Sequence, residues 1–239
     1  MVGMGTVINC AAIVAGGIVG MLFGNFMKTR YQEILMTATA LCVLFIGISG
    51  TLQEMMTVEG NALSAGGTMM VIASFAIGSL IGEILNLEHH IERFGQWLKI
   101  KTGSTGDAGF VDGFVTASLT VCIGAMAVVG AIQDGMEGDY SVLAAKAVLD
   151  LIIILIMTAS MGKGCIFSAI PVALFQGSIT LLAQFVKPFM TAAALSNLSF
   201  VGSMMIFCVG ANLFWNMKIR VANMLPGLII AVLWAFLPI

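Results

Sequence analysis

Eight stretches of about twenty residues, each nearly free of charge, run through this chain at 5–26, 33–56, 64–87, 110–133, 141–161, 165–186, 196–217 and 220–238. As a helix, a stretch of that length matches the roughly 30 Å hydrocarbon core of a bilayer. Eight of them in 239 residues leave only short connections, so a single transmembrane domain over 1–239 is expected. With 59% apolar and 9% charged residues, the chain has too little charge to solvate a globule. Its net charge of −2 provides no basic excess for nucleic acid. The five cysteines (Cys10, Cys42, Cys122, Cys165, Cys208) all sit in apolar runs, none spaced as C-x-x-C, which speaks against a disulfide scaffold. The expected fold is therefore all-α: a polytopic bundle of about eight membrane helices. The first run is not read as a signal peptide, because it lacks a charged leader and carries Gly16, Gly20 and Gly24 one turn apart.

Lys and Arg favour the cytoplasmic side. Lys28, Arg30, Arg93, Lys99, Lys101, Lys163, Lys218 and Arg220, eight of the ten basic residues, fall on one side of the eight-span arrangement. The opposite connections hold Glu54, Glu59, Asp134, Glu137 and Asp139. Both termini are thus expected outside. On the basic side, 88–101 places Ile91, Phe94, Trp97 and Leu98 at helical spacing, which suits an interfacial continuation of the third span. His89 and His90 are adjacent and point about 100° apart on a helix, so no metal site is expected there.

Two internal matches suggest repeats. AIVAGGIVGMLFG at 12–24 aligns with SFAIGSLIGEILN at 74–86, and FVTASLTVCIGAM at 114–126 aligns with FVGSMMIFCVGAN at 200–212. The second match joins spans of opposite direction, as inverted three-helix repeats would. The glycine stripes 16/20/24 and 78/82 let helices approach closely, and their exposure on spans 1 and 3 would favour a homodimer. The 18 methionines and 15 phenylalanines read as packing.

Charge at membrane depth is costly and calls for a reason. Asp150 lies nine residues past Ser141, about 14 Å along a helix and close to the midplane. Lys146 precedes it by four residues and shares its face. The pair reads either as structural or as a cation- or proton-coupling site. In span 6, Pro171 is expected to break the helix, with Ser168 before it and Gln176, Gly177 and Thr180 after it. Such a broken, polar helix is a sequence pointer to a transporter binding site. Asn9, Ser118 and Asn212 add polar groups at similar depth in spans 1, 4 and 7, and complete the expected substrate-binding set. Asp112 and Asp134, at the ends of span 4, are expected in the interface without partners, which leaves Asp150 as the one deep acid.

The segments GTVIN (5–9), GGIVG (16–20), IGSLIGE (77–83), FVTASLTVCIGAMAVVGAIQDGMEGD (114–139), KAVLD (146–150), SAIPVALFQGSIT (168–180) and VANMLPGL (221–228) resemble the YqgA/YdfK family of bacterial inner-membrane proteins. The likeness spans nearly the whole chain. It implies a bacterial plasma-membrane location and a transport-like polytopic fold, and it supplies no substrate or catalytic residue.

No hydrolase elbow, Walker loop, zincin helix or dinucleotide fingerprint occurs, so neither an enzyme nor a cofactor is expected. The favoured expectation is a secondary transporter of a small solute, coupled to a cation or proton and surrounded by membrane lipid. A scaffold docking through 88–101 is the alternative, and a passive channel ranks lower for want of a filter-like run.

Overall fold

The computed structural model describes residues 2–26, 28–59 and 62–237, and the protein is almost entirely helical. The helices are α1 (Met4–Phe26), α2 (Thr29–Met55), α3 (Thr68–Leu85), α4 (Leu87–Lys101), α5 (Phe110–Cys122), α6 (Ala125–Glu137), α7 (Ser141–Met161), α8 (Ala169–Leu181), the single turn α9 (Ala183–Val186), α10 (Ala192–Trp215) and α11 (Pro226–Trp234). Short 3-10 segments precede α8 (Lys163–Ser168) and α11 (Val221–Met224), and another follows α9 (Lys187–Phe189). Among the described residues, six helical stretches are long and apolar enough to cross a bilayer, and α5 with α6 forms a seventh bent by 63°. The eighth expected span is shorter: 221–234 extends only about 20 Å.

Close helix approach fixes the directions. Gly16, Gly20 and Gly24 on α1 abut the main-chain carbonyls of Leu151, Leu155 and Ala159 on α7; a side chain at Gly16 or Gly20 would collide there, and one at Gly24 would be tightly pressed. Both numbers rise together, so α1 and α7 run parallel. On α2 and α10 the numbers run oppositely: Gly47 meets Phe207, Gly50 meets Ser203, and Gly210 meets Leu44. Gly78 and Gly82 on α3 likewise meet Gly227 and Asn223, so α3 and its partner segment are antiparallel. A parallel α1 and α7 require the bent α5–α6 pair to traverse the bundle; if it turned back, α7 would be reversed. The directions agree with strict alternation through eight segments.

Both glycine stripes are consumed inside the protomer. The sequence reason for a homodimer therefore falls away, because the small-residue faces are not exposed. The matched segments 114–126 and 200–212 also differ: the first ends a helix at Cys122, whereas the second lies wholly within α10.

Three local features depart from the expected spans. Two short strands, β1 (Met56–Glu59) and β2 (Ala62–Ala65), pair antiparallel, with the Thr57 and Ser64 hydroxyls 2.9 Å apart. This trims both adjoining helices. Asn86 adopts the left-handed conformation (φ 49°), so α4 is a separate helix and not a continuation of α3. It buries Gly95 and Leu98 against the bundle and exposes Phe94, Trp97 and Ile100, an arrangement suited to an interface. Third, Pro171 does not break its helix. It stands in the first turn of α8, after the 3-10 segment, where a missing N–H leaves no gap in the ladder.

The break lies instead at Ile123–Gly124, in the middle of the fourth crossing. Gly124 sits at φ +145°, ψ +148°, a region essentially reserved for glycine. The Ile123 N–H still returns to Leu119 O, but the ladder then stops, and it resumes in α6 with Ala127 N–H to Gly124 O. An apolar core of Ile13, Ala117, Val121, Ile154, Met157, Cys165 and Val172 packs α1, α5, α7 and the 163–172 segment together next to this break.

Candidate functional site

A helix that stops at mid-membrane leaves carbonyls unpaired where no water is present to satisfy them. Here the Val121 carbonyl, one residue before the end of α5, accepts from Lys146 Nζ at 2.8 Å. The same ammonium donates to Asp150 Oδ2 at 2.5 Å. Lys146 and Asp150 are both buried, at 7% and 3% exposure, so Lys146 does not snorkel outward as an interfacial lysine would. One turn of α7 thus holds an acid and a base against the severed end of α5.

Asn9 on α1 faces this pair and donates from Nδ2 to Gln176 Oε1 on α8 at 3.3 Å. Asn9 and Gln176 are completely buried. Cys10 and Cys122 flank the charges, and the Cys10 thiol donates to Ala169 O at 3.6 Å. Asn9 Oδ1 and Gln176 Nε2 have no hydrogen-bond partner among the described residues. A buried amide that spends only part of its capacity is costly, and each such group calls for a further partner, whether a solute, an ion or a water.

The antiparallel α1 and α8 carry this polarity further. Thr6 lies one turn from Asn9, and Thr180 one turn from Gln176, so the register sets the two threonines at one level. Both hydroxyls are buried and unpartnered among the described residues, as is Gln133 Oε1 on α6. Beyond them lies Asp134, fully buried, whose carboxylate accepts from Gly3 N at 3.1 Å and Gly5 N at 2.9 Å. This corrects the expectation of an unpartnered interfacial Asp134: the start of α1 covers it and supplies two amide donors, a favourable place for a negative charge. A file of polar side chains therefore runs from Asp134 through Thr6, Thr180, Gln176 and Asn9 to Asp150.

On the opposite, basic side a cavity of about 680 Å³ is lined by Gln32, Ser104, Asp107, Thr158, Ser160 and Lys163, among others. Ile154 and Met157, both fully buried, stand between Asp150 and Thr158 on α7. This apolar stretch separates the polar file from the cavity. Next to the cavity side, Asn223 ties the α3–α4 corner down: its Oδ1 accepts from Glu88 N at 2.7 Å and its Nδ2 donates to Glu83 Oε2 at 2.7 Å. Arg220 pairs with Glu83, and Glu88 Oε2 accepts from Ala222 N at 2.9 Å. Burial pushes the Glu88 carboxyl above its ordinary range, more than the Ala222 N–H lowers it.

Of the residues singled out from sequence, Asn9, Lys146, Asp150 and Gln176 come together, with Thr180 along the file. Ser168 is fully buried, with its hydroxyl unpartnered among the described residues, beside Ala169 and hence near Cys10. Ser118 is spent within its own helix, donating to Phe114 O at 2.6 Å. Asn212 is remote: it closes the end of α10, bonding the N–H and carbonyl of Ile219 at 2.9 and 2.8 Å. Pro171 shapes the start of α8, and a side chain at Gly177 would meet only open space. Sequence reasoning missed the Val121 carbonyl and Asp134. The glycine inside CIGAM was the available signal for the first; the second had none. Among the described residues no three His, Cys, Asp or Glu gather as a metal site.

The family described as "Protein of unknown function (DUF554)" matches residues 4–236. The "Uncharacterized membrane protein YdfK" of Bacillus subtilis (strain 168) is 29% identical over 226 residues, covering 95% of this chain and 93% of that protein. The "Uncharacterized protein YqgA" of Escherichia coli (strain K12) is 27% identical over 232 residues, covering 95% and 94%. No solved structure matches the chain.

Proposed function

The chain belongs to the DUF554 family of multi-pass membrane proteins, and from that premise we propose that it is a secondary transporter of a small polar solute in the bacterial plasma membrane. The observation that carries this reading is the set of buried, partly unsatisfied polar groups around Asn9, Gln176, Lys146 and Asp150, at a helix break near the midplane. A purely structural core would not leave amides short of partners in a medium without water. Solute sites of transporters lie at this depth, beside interrupted helices.

The two sides of the site fit a cycle of alternating access. Toward the basic side, which we place in the cytoplasm by its lysines and arginines, Ile154 and Met157 close the way to the cavity. Toward the acidic side, Asp134 anchors the start of α1 over the polar file. Opening either end needs one helix segment to move while the site stays fixed. The solute would use the Asn9 and Gln176 amides, which can donate and accept, with Asp150 and Lys146 linking its passage to a cation or proton. α5 and α10 run in opposite directions, as an inverted repeat requires, although the Gly124 break gives the first copy a bend that the second lacks.

Purified protein in liposomes loaded with an ion-sensitive dye, screened against amino acids and organic acids, tests the proposal. A solute-dependent ion flux that Gln176→Ala removes is the expected result. Flux from no solute in a broad panel, or flux unchanged by Gln176→Ala, would count against it.

A further inference from the structure

We propose that the cavity on the basic side is a binding site for a zwitterionic α-amino acid, its carboxylate held by Lys163 and Thr158 and its ammonium by Asp107. The inference deepens the transport reading, on which it rests for its purpose, by naming the class of solute; the binding itself is measurable without transport.

The cavity comes first. Its volume of about 680 Å³ is within the range of small-molecule sites. Asp107 and Lys163 line it from different segments, the 102–109 connection and the start of the 3-10 segment that leads into α8. Both are half-buried, yet neither forms an ion pair among the described residues. The absence of a side chain at Gly162 lets the acid come close to the residue next to the base: a β-carbon there would stand 3.2 Å from Asp107 Oδ2. A partly buried charge without a counter-charge is costly, and a ligand that carries both signs relieves both costs at once. At the inner end, Thr158 is only 2% exposed and its hydroxyl is unpartnered among the described residues; the Cys165 thiol beside it is a weak partner. Such a hydroxyl can donate to a carboxylate. Gln32 donates to Gly24 O at 3.0 Å and Ser160 to Ile156 O at 3.0 Å, and each keeps a side-chain oxygen able to accept from an ammonium.

The lining argues against other classes of ligand. A phosphorylated solute asks for several cationic donors, and here a single lysine shares the wall with an acid. A free metal cation asks for several oxygen ligands and would be repelled by that lysine. A sugar is commonly stacked on an aromatic ring, and no described lining residue is aromatic. A zwitterion leaves the net charge of the cavity unchanged, and it meets the same complement farther in. Thr158 lies two turns of α7 from Asp150, where Lys146, Asp150 and the Asn9 and Gln176 amides again offer both signs and both senses of hydrogen bond. Ethanolamine phospholipid headgroups also pair an ammonium with an anion, so the test separates the two sources.

The test measures binding of each protein L-amino acid in turn by calorimetry, with purified full-length protein in detergent. At least one should bind. Its methyl ester, which lacks the carboxylate, and its N-acetyl derivative, which lacks the ammonium, should each bind about tenfold or more weaker, as expected for loss of a charged hydrogen bond. Lys163→Gln should weaken the amino acid about tenfold or more and leave the ester unchanged; Asp107→Asn should weaken it likewise and leave the N-acetyl derivative unchanged. A change in packing alone would weaken amino acid and derivative alike. No binding by any amino acid, parent-like binding by both variants, or derivatives that bind as well as the amino acid would overturn the proposal. Glycerophosphoethanolamine binding as tightly as the amino acid would do so too, by assigning the cavity to lipid. If the variants do not fold, the two derivatives decide the matter on the parent. Amino-acid binding in a protein that moves no solute in liposomes would refute the transport reading and leave the site standing. Transport of a solute that both variants leave unchanged would do the reverse.

Discussion

Gly124 holds the chain at φ +145°, ψ +148°, yet a methyl group added there would meet nothing within 4 Å. Gly124→Ala therefore isolates the backbone cost of the break from any steric one. For a residue other than glycine in this region the cost is about 1–3 kcal/mol. At roughly 2–4 °C per kcal/mol for a chain of this size, melting in detergent should fall by about 2–12 °C. The strain has an outlet, since straightening α5 into α6 would let a main-chain N–H take the Val121 carbonyl now held by Lys146. Cys122, next to that carbonyl, should then react faster with maleimide. Gly210→Ala is the control from the matching segment. Its methyl would lie 2.7 Å from Leu44 N, so it should destabilise by overpacking, at about 1–3 kcal/mol, without altering Cys122. If Gly124→Ala melts within about 1 °C of the parent and leaves Cys122 unchanged, the glycine does not set the break and the reasoning fails.

Asp134→Asn removes a charged acceptor from two amide donors, and bonds to charged groups contribute about 1.5–3 kcal/mol each. A loss of at least about 2 kcal/mol is expected in a denaturation series, and a loss below about 0.5 kcal/mol would contradict the assigned role. The Glu88 carboxyl is raised by burial, so its contribution to stability is fully present at acid pH and lost as pH rises through the raised value. Glu88→Gln keeps an acceptor for Ala222 N–H and should melt higher than the parent at pH 8, a gain that vanishes at pH 4; equal melting at pH 8 would refute it. A C-terminal alkaline phosphatase fusion should be active and a fusion in 102–109 inactive, from the basic-residue distribution. The opposite pattern would invert the topology.

The charges of the site could be read from sequence because Lys146 and Asp150 stand alone in an apolar helix, where spacing of four fixes a shared face. Asn9 and Gln176 were visible as deep amides, but nothing local shows that residues 167 apart in the chain would bond. The position of the break was misjudged for a definite reason. Pro171 breaks a ladder only when an N–H is needed there, and a preceding 3-10 segment removes that need. Gly124 and Gly210 occupy equivalent places in matching sequences, yet one ends a helix and the other lies inside one. The difference is tertiary: Lys146 takes the carbonyl that the break exposes, while α10 is pressed straight along α2. The paired strands β1 and β2 were hidden because Met56, Val58 and Leu63 extend the apolar pattern of the spans they adjoin. Asp134 looked interfacial because its cover, the start of α1, comes from 129 residues away.

The account turns on whether the interior around Lys146 and Asp150 opens to both sides of the membrane. Native Cys122 lies beside that pair, and a variant with the other four cysteines replaced by alanine or serine, checked for the parent's folding, leaves it the one thiol. Membrane-impermeant thiol reagents, applied separately to right-side-out and inside-out vesicles, then report access to the site without knowledge of the solute. Labelling of Cys122 from each face is the predicted result; labelling from one face only, or from neither, would contradict a transport cycle.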